Sequence, residues 1–165
     1  MQLLITRSDI AKYKQISKTP HDDKLNEQIM DAQMLDLQPL LGERLYNSIM
    51  AAPADFAEIL DGGNYNYDNV TYTNYGLKMV LVYYAYSRYS MFGTFIDTPT
   101  GFREKQNDNS SPVETSSKKT IYILNREAAA QVWNNVQNYL IRTNQVDYNL
   151  CHRPAKTGGM KFTRL

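Results

Sequence analysis

Few side chains in this chain have the type and spacing that bond-breaking chemistry needs. His21 stands beside Asp22 and Asp23, which are metal-donor types. A helical metal site needs a second imidazole one turn on, where the chain has Lys24 and Leu25. The three residues read instead as the cap and first-turn acids of a helix. Asn64, Asn66 and Asp68 imitate the start of a calcium loop, but its sixth place is Asn69 instead of Gly and its twelfth is Tyr75 instead of Glu. Gly62-Gly63 lacks the downstream Gly-Lys-Ser/Thr that completes a phosphate cradle, and reads as a helix stop. Cys151-His152 has no third group to orient the base, and adjacent residues in an irregular segment seldom aim at one another. The expectation is no enzyme, no cofactor and no metal.

Non-covalent recognition suits the composition better. The 13 tyrosines suit either base stacking or subunit interfaces, where a flat apolar body with a polar tip is useful. They gather in 65–75 and 83–89, away from the cations, which favours interfaces. Arg103, Lys105, Lys118 and Lys119 could form a cationic rim facing a polyanion. A formal net charge of +1 removes the bulk electrostatics of a general nucleic-acid binder. The single cysteine excludes an intramolecular disulfide and a thiolate-rich zinc site. Met1 to Ile5 is too short for a signal h-region, so secretion is not expected.

The elements that must position these groups are mainly helical. Thr6 to Asp9 caps a short helix reaching about Ile16. A longer one follows His21-Asp22-Asp23, with one apolar stripe of Leu25, Ile29, Ala32 and Leu40 and a second of Met30, Met34, Leu37 and Leu41. Pro39 and Gly42 bend or break it, Glu43 to Met50 resumes it, and Pro53 opens a short turn. The run 64–73, NYNYDNVTYT, alternates around Asp68-Asn69 as a hairpin does. Gly76 to Tyr86 is apolar on every side, yet well short of the ~20 residues of a bilayer span, so a helix here must be covered all round, by the domain or by neighbouring subunits. A second hairpin-like insert occupies 93–112. The last helix spans about Val113 to Asn144, with Ile121, Leu124, Ala128, Val132 and Tyr139 on its apolar face, joined by Ala129, Trp133, Val136 and Leu140. Beyond Val146 no periodicity survives. The expected plan is a small helical bundle over 1–148, with one long C-terminal helix and one or two hairpin inserts, then an extended basic arm over 149–165 carrying Arg153, Lys156, Lys161 and Arg164.

The order of parts resembles a known family. LDLQPLLGERLYNSI at Leu35–Ile49, GLKMVLVYYAYSRY at Gly76–Tyr89 and DTPTGFREKQNDNSSPVE at Asp97–Glu114 resemble the head–tail connector (adaptor or head-completion) proteins of tailed bacteriophages, nearest in look to the connector-like ring proteins of crAss-like and other Bacteroides phages. That resemblance covers about residues 5–145. It implies a structural virion protein of the neck, assembled in the host cytoplasm as an oligomeric ring, commonly a dodecamer, under the portal protein. Such a ring extends the DNA channel over packaged double-stranded DNA, held non-specifically, and offers a docking surface to further neck or tail proteins. Arg103, Lys105, Lys118 and Lys119 are then the channel candidates. Met30, Met34, Leu37, Tyr65, Tyr67, Tyr72, Arg153, Lys161, Phe162 and Arg164 are the candidates for partner contact, and the arm is expected to gain order by main-chain pairing on a partner. The other reading of the same residues is a small non-enzymatic nucleic-acid-binding module.

Overall fold

A computed structural model describes residues 2–17, 22–93, 95–99, 101–104 and 113–151. The segment too apolar to have a wet side forms helix α6, Leu77–Phe92, and every residue from Leu77 to Met91 is at least partly buried. The chain supplies the cover itself. Helix α1 (Arg7–Ala11), α2 (Asp23–Asp31) and α5 (Ala57–Asp61) pack on α6, and the longest contact is with α7, Thr115–Arg142. The apolarity of α6 therefore calls for no neighbouring subunit.

Helix α1 is shorter than expected. The Asp9 carboxylate accepts from both the Thr6 N–H and its hydroxyl at 2.9 Å, which fixes the start. An Arg7–Asp22 ion pair then ties it to the head of α2. After Asp31 the helix widens into a π-helical stretch, Ala32–Leu37, before α3, Gln38–Leu41. An i→i+5 turn advances less per residue than an α turn, and so carries Leu37 back towards the side of Ile29. Leu37 is accordingly fully buried, a correction to its place among the partner-contact residues. Leu41 is buried too, whereas Leu35 is thrown outward. The break falls at Gly42, with φ of 77°, and α4 runs Glu43–Ala51 with Leu45, Tyr46 and Ile49 inside.

A 3₁₀ turn, Pro53–Phe56, leads into α5, and then β1 (Gly63–Tyr67) pairs antiparallel with β2 (Val70–Asn74). Asp68 and Asn69 both have positive φ, the requirement of a two-residue type I′ turn. At the base of the hairpin the chain crosses itself. A Cβ on Gly62 would lie 2.4 Å from the Asn74 carbonyl oxygen, and one on Gly76 2.7 Å from that of Leu60, so only glycine fits at either crossing point. Asn74 locks the crossing by donating to the Glu58 carbonyl at 2.9 Å and accepting from the Gly76 N–H at 3.0 Å.

The second insert is the hairpin of β3 (Phe95–Thr98) and β4 (Gly101–Glu104). Helix α7 is about 42 Å long at ~1.5 Å per residue and buries Ala129, Val132, Trp133, Val136, Tyr139 and Leu140 as expected. Ile121 and Leu124, read as part of that same apolar face, are exposed: the N-terminal half of α7 buries a different side, that of Lys118 and Asn125. Where no periodicity was expected, a short helix α8 forms over Val146–Cys151, so the first three residues of the expected arm are helical and 152–165 lie outside the described residues. Tyr148 holds α8 down, edge-on to Trp133 at 6.2 Å and accepting from Gln137 Nε2 at 2.8 Å. Asp147 accepts from Arg44 at 2.7 Å and Ser48 at 2.9 Å.

Those two donors, Ser48 first and Arg44 second, hold the Asp147 carboxyl below its usual range. The sign follows from linkage. A folded-state pKa below the unfolded value of ~3.9 stabilises above that value and is lost as the pH falls through the folded value. The docking of α8 is therefore expected to be constant from neutrality to about pH 4.5 and to loosen only below about pH 4. Trp133 fluorescence during an acid titration, with Asp147→Asn as the reference, reads the release. An unfolding step of equal size in that variant would show that other carboxylates control it.

Candidate functional site

Three long-range features stand out once the fold is in place, and the first is ionic. Asp36, on the π-helical stretch, accepts from Arg88 Nε at 2.7 Å and from Arg126 Nη1 at 2.9 Å. Its side chain is 4% exposed, that of Arg88 15% and that of Arg126 34%. Burial works against the Arg126 charge, but the Asp36 hydrogen bond and charge outweigh it and hold the guanidinium pKa above its ordinary value. Arg126 also lies 5.0 Å from the Tyr84 ring centre and 5.4 Å from that of Tyr122. With both carboxylate oxygens engaged, this centre clamps the π stretch, α6 and α7 together.

The second feature is the two-faced β1–β2 hairpin. On one face Thr71 and Thr73 donate to the Asn66 and Asn64 side chains at 2.8 and 2.9 Å, a polar ladder. On the other, Tyr65 stacks on Tyr72 at 5.7 Å and meets Tyr139 of α7 edge-on at 4.8 Å. Arg142 lies 4.0 Å over the Tyr72 ring and donates to the Tyr65 hydroxyl at 3.0 Å. Tyr65 and Tyr72, expected at a partner surface, are thus half-buried and committed within the chain. Tyr67 and Val70 at the tip remain exposed. Asn135 latches the outer edge of β2, donating to the Thr73 carbonyl at 3.0 Å and accepting from the Tyr75 N–H at 2.9 Å.

The third feature is the side of α7 on which the hairpin sits. Asn135, Tyr139 and Arg142 form one stripe at helical spacing, and Ala128, Leu124 and Ile121 continue it towards the N-terminus. The hairpin covers the first three. Among the second three Ala128 is partly covered, whereas Ile121 is 37% and Leu124 58% exposed. One continuous stripe thus has a covered half and a bare apolar half.

The remaining candidates are scattered. Met30 and Met34 are partly buried. Lys119 is exposed on α7, but Lys118 is only 6% exposed, which removes it from any cationic rim. The Arg103 side chain, all of Lys105, and Arg153, Lys161, Phe162 and Arg164 lie outside the described residues, as do His21 and His152. An open cleft of about 450 Å³ is lined by Asp55, Glu58, Tyr139 and Thr143 among others. Its only titratable groups are two carboxylates and a phenol, and burial raises the Tyr139 phenol, with the nearby Glu58 carboxylate adding to the effect. Among the described residues no group of three His, Cys, Asp or Glu side chains could hold a metal ion, and no helix is long and apolar enough to cross a membrane. The sequence signal for Asp36, Arg88 and Arg126 was absent, since each charge looks like surface until its partners are known.

The family described as "Family of unknown function (DUF6712)" matches residues 37–158, well over half of the chain. The match takes in α3 to α8, hence both hairpins and the whole of α7, and leaves out Asp36 by one residue. No curated protein matches the chain. No solved structure matches it.

Proposed function

Since the chain belongs to DUF6712, a family of unknown function, its own surfaces are the ground on which we propose that it is a structural virion protein, a head–tail connector of tailed phages that assembles as a ring under the portal. The observation that carries the reading is the bare half of the α7 stripe, Ile121 and Leu124, together with a second, separate apolar patch at the hairpin tip, Tyr67 and Val70. Two different patches on one molecule pair head to tail, and a head-to-tail contact closes into a ring when its rotation divides a full turn. The resemblance of Leu35–Ile49, Gly76–Tyr89 and Asp97–Glu114 to connectors supplies the context. In that context the ring extends the DNA channel and gives the tail its docking surface. Lys119, Arg103 and Lys105 are the cations left to face DNA, and near-neutral overall charge suits a channel through which DNA must slide.

Light scattering on a size-exclusion column over a range of concentrations, with negative-stain images of the heaviest peak, tests the proposal. Closed rings with a central hole support it and give the copy number. A strict monomer with and without portal protein overturns it, and a monomer that shifts duplex DNA in a salt-dependent way would favour the nucleic-acid-binding module instead.

A further inference from the structure

The main-chain register of the first hairpin leaves one strand edge open. In a two-residue hairpin the closing pair, here Tyr67 and Val70, exchanges hydrogen bonds, and the next pair out points its N–H and C=O groups away from the partner strand. Asn64 and Thr73 are such a pair, as are Asn66 and Thr71. Thr73 shows the consequence on β2, where its outward carbonyl is taken by Asn135. On β1 the outward groups of Asn64 and Asn66 have no partner among the described residues, and a row of unpaired groups on an exposed strand is a template for another strand.

The chain has a segment with the matching alternation. Residues 160–163 read Met-Lys-Phe-Thr, so that Lys161 and Thr163 fall on one side of a strand and Met160 and Phe162 on the other; Arg164 and Leu165 end the alternation. Laid along β1, the first pair continues the polar ladder of Asn64 and Asn66, and the second continues the apolar face of Tyr65 and Tyr67. We infer that residues 160–163 of a second copy add to the outer edge of β1 as a third strand, an arm exchange that links neighbouring subunits; this rests on the ring reading. The place where the arm departs favours a neighbour. Helix α8 is held by Trp133 and Gln137, whereas the hairpin is held by Asn135, and positions two apart on a helix lie ~200° around it. The arm thus leaves from the far side of α7 relative to its own β1. Eight residues, 152–159, link Cys151 to the pairing segment, enough to span up to ~28 Å.

Full-length protein with Cys151→Ser provides the background, into which Asn66→Cys is placed in one preparation and Thr163→Cys, or Lys161→Cys one register step away, in another. Mixed and oxidised, the two are expected to give a disulfide-linked pair of unlike chains. Asn64→Pro should abolish it while leaving the β1–β2 bonds intact, because that N–H points outward. Scattering on the same samples separates the failures. Rings without the mixed disulfide overturn the arm exchange and leave the ring reading standing, whereas a monomer without it, both with and without portal protein, overturns both. A bridge confined to single chains in a variant carrying both cysteines overturns the exchange between copies.

Discussion

Asp36→Ala is expected to cost about 3–5 kcal/mol of folding stability, the range for removing one member of a buried ion pair. The cost comes mainly from what remains. With its side chain 15% exposed, the Arg88 guanidinium cannot turn to water when its acceptor is lost. Arg126 is more exposed and can re-solvate, so it adds less. Against a typical total of ~5–15 kcal/mol, the loss leaves a marginal fold, with a urea midpoint lowered by about half. Asp36→Leu combined with Arg88→Met should recover most of the stability, because an apolar pair of similar volume need not be desolvated as charges are. If Asp36→Ala shifted the urea midpoint by less than the equivalent of about 1 kcal/mol, the clamp would be no more than a surface pair.

The contrast between Asp36 and its neighbours marks what the sequence could carry. Local patterns were legible: the alternation of Tyr65, Tyr67, Val70 and Tyr72 around Asp68-Asn69 located the hairpin, and the unbroken apolar run located α6. The π-helical stretch was not, because it is a shift of backbone hydrogen bonds that no residue type encodes, and it alone decides that Leu37 faces in and Leu35 out. The Asp36 clamp depends on partners 52 and 90 residues away. Helix α8 is too short for a period to show, and its anchors at Arg44 and Ser48 lie about a hundred residues upstream. Lys118 could have been found. It stands seven and fourteen residues before Asn125 and Val132, on the side that faces the core, but its residue type read as solvent-facing. The candidate assembly surface was half legible for the same reason: periodicity placed Ile121 and Leu124 on an apolar stripe, and only the tertiary fold could reveal that they stay exposed.

That bare stripe yields the sharpest test of assembly, Leu124→Glu. A leucine 58% exposed on a helix surface contributes little to the fold, and glutamate is as good a helix former. The melting temperature is therefore expected to stay within about 2–3 °C of the parent, in line with the small effects of surface substitutions. In a ring the same position is buried against the next subunit, and a carboxylate placed there must be desolvated without a partner. A penalty of about 3 kcal/mol per contact weakens each by ~10²-fold. Because every contact in a closed ring carries the change, the heaviest scattering peak should give way to monomer at concentrations where the parent is fully assembled. Asn134→Glu adds the same charge to an exposed, polar position of the same helix and should leave the rings intact. Rings that persist in Leu124→Glu would place the contact elsewhere on the molecule, and a variant that unfolds would mean that the stripe belongs to the core.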